Sequence, residues 1–222
     1  PAAAATLRSP VNRRPRVQQQ LETMLAMQDR MNTRVHPQWR AQGFAWYRAT
    51  WIECAELLEH YGYKWWKRQQ PAMEQVRLEI VDIWHFGLSM LLLEDDDHAA
   101  LAGRIAADIE QAAPATDDLR LATEALAAEA LASRRFSVTA FRDLMATADL
   151  GFEDLYTAYV GKNVLNFFRQ DNGYQDGSYR KTWSGREDNE HLHELLGSLD
   201  GSAADFPERL YAALGERYGA AG

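Results

Sequence analysis

Residues 74–93 would be apolar nearly all round if wound as a helix, yet the middle of the segment carries Glu79 and Asp82. A helix that is apolar on every side is a buried helix, so these acids are expected to point inward. Ile83 and Phe86 flank them on the wheel. The preceding segment, 45–60, lacks Pro and Gly and holds a second pair, Glu53 and Glu56, flanked by Trp46, Ala49 and Leu57. Each pair is spaced i, i+3, which places both members on one helix face a turn apart. A single pair of this kind is common on solvated helix surfaces. Two pairs on apolar faces of one helical hairpin are another matter, because carboxylates buried together are very costly unless cations neutralise them. Hard divalent cations take oxygen ligands, and Mg²⁺ often binds through a few carboxylates plus substrate phosphates.

The rest of the chain supplies groups that such a site could use. From Gln18 to about Arg34 the residues Leu21, Met24, Leu25, Gln28, Met31 and Asn32 follow helical steps. Gln28 and Asn32 stand among apolar positions; they are either satisfied core amides or readers of the polar edge of a base. Residues 61–67 (Tyr-Gly-Tyr-Lys-Trp-Trp-Lys) form an aromatic, basic turn, where Trp65 and Trp66 either plug the core or stack on a base. In the helix expected at 152–170, Lys162, Asn166 and Arg169 share a face. A Gly-punctuated loop follows with Arg180, Lys181 and Arg186, either a solvated surface loop or a lid that folds over phosphates. His191 and His193 are expected at the surface, and Cys54 reads as a small packed residue.

Helices are expected over most of what remains. The Ala-rich stretch 99–132 reads as two helices broken near Pro114, Ser137 as the cap of a helix to Ala148, and 203–218 as a final helix. Alternating strand patterns are almost absent. The expected fold is all-α: an antiparallel helical bundle around a four-carboxylate metal site, with accessory helices and a C-terminal lid loop. Residues 1–17 read as a flexible basic arm and 18–222 as one domain, with core helices in 18–93 and 152–190 and an accessory segment at 97–150.

Composition excludes some classes. The chain of 222 residues has a formal net charge of -8, which argues against nucleic acid or an anionic membrane as partner. The single cysteine rules out an internal disulfide and fits a reducing compartment. No stretch reaches the roughly 20 apolar residues of a membrane span, and 1–17 has no signal-peptide core. A cytoplasmic location is expected, with nuclear or organellar placement open.

Several motifs carry a specific resemblance. They are Met27-Gln28-x-x-x-Asn32, Glu53-Cys54-Ala55-Glu56, Lys64-Trp65-Trp66-Lys67, Glu79-Ile80-Val81-Asp82-Ile83-Trp84-His85, Tyr159-Val160-Gly161-Lys162-Asn163, and Phe168-Arg169-Gln170-Asp171 running on to Glu187-Asp188-Asn189. Together they make the chain similar to the all-α dimeric dUTPases, within the superfamily of MazG-like and dCTP pyrophosphatases. The resemblance implies a homodimer that hydrolyses dUTP, and dUDP, to dUMP, keeping uracil out of DNA and supplying dUMP for thymidylate synthesis. It implies Mg²⁺, with Mn²⁺ as a substitute, on Glu53, Glu56, Glu79 and Asp82, with Glu53 or Glu56 serving the attacking water. It implies base and sugar contacts from Gln28, Asn32, Trp65, Trp66, His85 and Asn163, and phosphate contacts from Lys162, Arg169, Tyr174, Lys181 and Arg186. The alternatives are a related pyrophosphatase acting on dCTP, or a phage-type dUTPase that also binds a regulatory protein.

Overall fold

The computed structural model describes residues 13–110, 114–201, 203 and 205–220. Residues 1–12 of the expected arm lie outside the described residues. From Arg13 the chain is already helical, so the first helix starts five residues before Gln18.

Four helices frame the candidate site. They are α1 (Arg13–Val35), α2 (Trp46–Tyr61), α3 (Met73–Leu92) and α7 (Phe152–Asp171). As its composition demands, α3 is the central one: Val76, Ile80, Val81, Ile83, Trp84, Leu88 and Leu91 are buried around its circumference. It packs against α1, α2 and α7. The α2–α3 hairpin is antiparallel, since Thr50 touches Met90 near one end and the Ala72 N–H donates to His60 O at the other. The Trp84 indole N–H points at the Met24 sulfur on α1 at 3.4 Å, and its ring stacks on Phe141 with centroids 4.7 Å apart. The all-α expectation is met, with only a two-stranded ribbon besides helices among the described residues.

The accessory segment is helical as the sequence implies: α4 (His98–Ile109), α5 (Leu119–Ser133) and α6 (Val138–Thr147). Each begins at a side-chain cap. Asp97 accepts from the N–H groups of Ala99 and Ala100, Asp118 from Arg120, and Ser137 from Ala140, satisfying donors that a helix start otherwise leaves without partners. The acidic run 94–97 is therefore partly a helix start. α4 packs on α1 and α6, and α5 on α2 and α6.

The C-terminal part contains what the sequence pattern did not announce. A short antiparallel ribbon, β1 (Thr182–Trp183) and β2 (Arg186–Glu187), leads into α8 (Asp188–Ser198) and then α9 (Phe206–Ala220). α8 opens with a reciprocal capping box between Glu187 and Glu190. Trp183 is fully buried, stacked on His191 at 5.1 Å and close to Phe168 and Tyr218. The Gly-punctuated loop is thus fastened to α7 and α9 through Trp183. His191, expected at the surface, is buried and hydrogen-bonded to Trp183 O at 3.0 Å, because α8 turns that face inward.

Candidate active site

The α2–α3 hairpin brings the acids together. Ligand oxygens of Glu53, Glu56 and Glu79 all lie within 4.8 Å of one another. Glu79 is buried, Glu53 half-buried and Glu56 exposed, so the cluster opens to solvent on one side. Burial pushes the Glu53 carboxyl up to about 8, helped by the negative charges of Asp82, Glu79 and Glu56 and by its hydrogen bond with Glu79. Glu79 is raised for the same first reason, burial, and next by Asp82. Its hydrogen bond with Glu53 and the charge of His60, 3.3 Å away, offset part of this. Without a cation both carboxyls are pushed towards the protonated form, by burial first and by each other's neighbouring charges next. Asp82 stands slightly apart, with its Oδ2 receiving Lys162 Nζ at 3.0 Å. A set of hard oxygen donors that binds protons so tightly fits a divalent cation such as Mg²⁺.

Beside Asp82 a cavity of about 240 Å³ lies between α1, α3 and α7. Gln28, Asn32 and His85 form its polar wall, and Trp46 and Phe86, 6.2 Å apart, its aromatic side. Gln28 and Asn32 are buried and hydrogen-bonded to each other and to Ser89. The His85 Nδ1 lies 2.8 Å from Val81 O, an acceptor only, so that nitrogen carries the proton. Burial pushes the ring down to about 4. His85 is therefore neutral at pH 7, and its Nε2, which has no partner, is a bare acceptor. Asn163 sits one layer behind. Its Nδ2 donates to the Tyr159 hydroxyl at 3.3 Å, and its buried Oδ1 has no partner.

Trp65 and Trp66 neither plug the core nor stand where a base could stack in this cavity. They are 91 % and 60 % exposed in the α2–α3 loop and edge-to-face with each other, and they line neither place. Trp46 and Phe86, two of the aromatic residues that do line the cavity, had a signal in the sequence: Trp46 is i−7 from Glu53 and Phe86 is i+4 from Asp82, positions that share the acids' helix faces.

The basic residues divide into two groups. Lys162 is buried on Asp82, and Arg169 and the half-exposed Tyr174 line the cavity. Arg169 is heavily committed: Nε and Nη2 each lie 2.8 Å from Asp188, and Nη1 donates to Asn166 at 3.1 Å. Lys181 and Arg186 stay outside the cavity, paired with acids of their own segment, Lys181 with Glu187 at 3.6 Å and Arg186 with Glu194 at 2.9 Å. Cys54 is buried and burial lifts its thiol to about 12, in keeping with a packing role.

An all-α chain in which converging carboxylates adjoin a pocket of amides and aromatics has the layout of a helical enzyme acting on a nucleotide. A family model described as dUTPase matches residues 20–174, more than half of the chain, and the chain belongs to that family. It is a dUTP diphosphatase, a hydrolase of nucleotide metabolism. No curated protein matches it. The matched span holds the acids, the amides, Lys162, Arg169 and Tyr174, and ends before Lys181 and Arg186. No helix among the described residues is long and apolar enough to cross a membrane.

Proposed function

We propose that the chain hydrolyses dUTP, and also dUDP, by attack of water on the β-phosphorus, with Mg²⁺ held by Glu53, Glu56, Glu79 and Asp82. The observation that carries this reading is the convergence of three carboxylates within 4.8 Å of one another, with Glu53 pushed up to about 8. A bound Mg²⁺ would neutralise phosphate charge and make a neighbouring water more acidic. Glu53, whose carboxyl burial pushes up, would take the proton from that water. Lys162, beside Asp82, and Arg169 steady the negative phosphates, and Lys181 and Arg186 join them only by leaving Glu187 and Glu194. Gln28, Asn32 and His85 read the base between Trp46 and Phe86. Mn²⁺ is expected to replace Mg²⁺, because both accept oxygen ligands.

The test is hydrolysis of dUTP in ¹⁸O-water. Attack at the β-phosphorus puts the label in pyrophosphate and lets dUDP yield dUMP and phosphate. Label confined to dUMP would overturn the β-attack, and full turnover in excess EDTA would overturn the metal.

We also infer a homodimer. Trp51 and Ile52, adjacent on the outer face of α2, are 37 % and 39 % exposed, and Trp65 and Trp66 stand in the loop that follows. Large apolar side chains left in solvent on one helix and on the loop after it suit burial against a second copy. Light scattering at micromolar concentration should return twice the 25.2 kDa chain mass. A monomer would remove the inference.

A further inference from the structure

The face of α2 that carries the acids continues for one more turn. His60 is seven residues after Glu53 and four after Glu56, so its imidazole stands on the same side of the helix. In the antiparallel hairpin that face meets the first half of α3, where Glu79 sits. The His60 Nε2 lies 3.3 Å from Glu79 Oε1.

The backbone under His60 is well anchored. Its carbonyl accepts the Ala72 N–H at 2.9 Å, the bond that closes this end of the hairpin. The next two residues are clamped by the accessory helix α5. The Arg120 guanidinium lies over the Tyr61 ring at 4.7 Å, and its Nε and Nη2 donate to Gly62 O at 3.1 and 2.6 Å. The His60 side chain is 37 % exposed, so the ring has room to shorten a contact that is now a little longer than a good hydrogen bond.

His60 stands outside the ligand set. Among the described residues, the donor atoms that converge within 4.8 Å belong to Glu53, Glu56 and Glu79. Of these three acids Glu79 is the buried one, so water cannot serve the lone pairs that a cation leaves over. A carboxylate offers about four such sites, and a donor fixed on one of them limits how the group can turn. We propose that His60 is a positioning residue whose Nε2–H holds Glu79 Oε1 and so sets the direction in which Glu79 faces the divalent cation. A neutral ring with its proton on Nε2 serves as well as a charged one, since both carry that N–H. The inference rests on reading the acid cluster as the metal site.

The experiment measures Mn²⁺ binding to the EDTA-stripped, nucleotide-free protein by the paramagnetic resonance of the free ion. Wild type, His60→Ala and His60→Gln are compared, with circular dichroism and Tm as controls. Loss of a group that supports a metal ligand typically costs about 10- to 100-fold in metal affinity, and His60→Ala should weaken Mn²⁺ by that factor. The Mg²⁺ concentration for half-maximal turnover should rise in parallel, while kcat at saturating Mg²⁺ largely recovers. Gln places an uncharged N–H near the position of Nε2, so His60→Gln should bind Mn²⁺ nearly as well as the wild type. Unchanged affinity in folded His60→Ala overturns the proposal. So does tighter binding, which would make His60 a competitor of the cation. A Gln variant as weak as the Ala variant also overturns it, because charge or direct ligation would then be what His60 supplies. A wild type that binds no Mn²⁺ overturns the reading of the acids as a metal site, and this inference with it.

Discussion

Glu53→Gln is expected to lower kcat by about 10²- to 10⁴-fold, the usual worth of a positioned general base, while making the metal-free protein more stable at pH 8. Both effects come from one cause. Folding raises the Glu53 carboxyl from its ordinary value to about 8 through burial and neighbouring acids. Its favourable contribution is therefore fully present below the unfolded pKa, near 4.5, and is lost as pH rises through about 8. The Tm of the wild type in EDTA should fall across that window. The Gln variant keeps the shape and cannot ionise, so its Tm should be flatter there. Mg²⁺ should stabilise the wild type more at pH 8 than at pH 5, because its ligands must lose protons to bind. Scanning fluorimetry at the two pH values, with and without Mg²⁺, reads all of this. A Gln variant retaining activity within tenfold would move the base to Glu56. A flat wild-type profile would mean that burial does not hold the acids protonated.

The same residues show why so much of the site is legible in the sequence. Acids spaced i, i+3 share a helix face by geometry alone, and the apolar flanks of Glu79 and Asp82 betray burial by composition. Helix caps such as Ser137 are equally local signals. What the sequence hides depends on distance between segments. Trp65 and Trp66 look like core residues or stacking partners because they are large and adjacent, but the α2–α3 loop leaves them outside. Ser89 has no local signature, since its partners are two amides more than fifty residues earlier. The ribbon and α8 escape because glycines at 173, 177 and 185 punctuate the segment like a loop. At positive φ of 91°, 78° and 80° those glycines serve turns. The order in this region comes from Trp183, a single side chain that finds its partners on α7, α8 and α9.

Asp188→Ala should be the most destabilising single change in this C-terminal region. Asp188 is fully buried, accepts both Nε and Nη2 of Arg169 at 2.8 Å and takes the Tyr179 hydroxyl at 2.8 Å. Burial alone would raise its carboxyl, but the Arg169 fork and the Tyr179 hydroxyl outweigh burial and hold it below the usual range. Removing one member of such a pair leaves the other charge buried and unpaired, which costs about 3–5 kcal/mol. In a chain of this size that is about 6–20 °C in Tm. Activity should fall as well, because Arg169 lines the cavity and Asp188 fixes where its remaining N–H groups point. Arg169→Lys should not substitute, since an ammonium cannot reproduce the planar two-pronged contact. The double change Arg169→Met with Asp188→Leu separates the two roles. Replacing both charges by apolar groups removes the unpaired ion, so stability should return towards the wild type, while turnover stays low because the cavity has lost its guanidinium. Urea denaturation gives the first quantity and kcat/KM the second. An Asp188→Ala variant that loses less than about 1 kcal/mol, as a solvated surface pair would, defeats the stability argument. A double variant with full turnover removes Arg169 from phosphate binding.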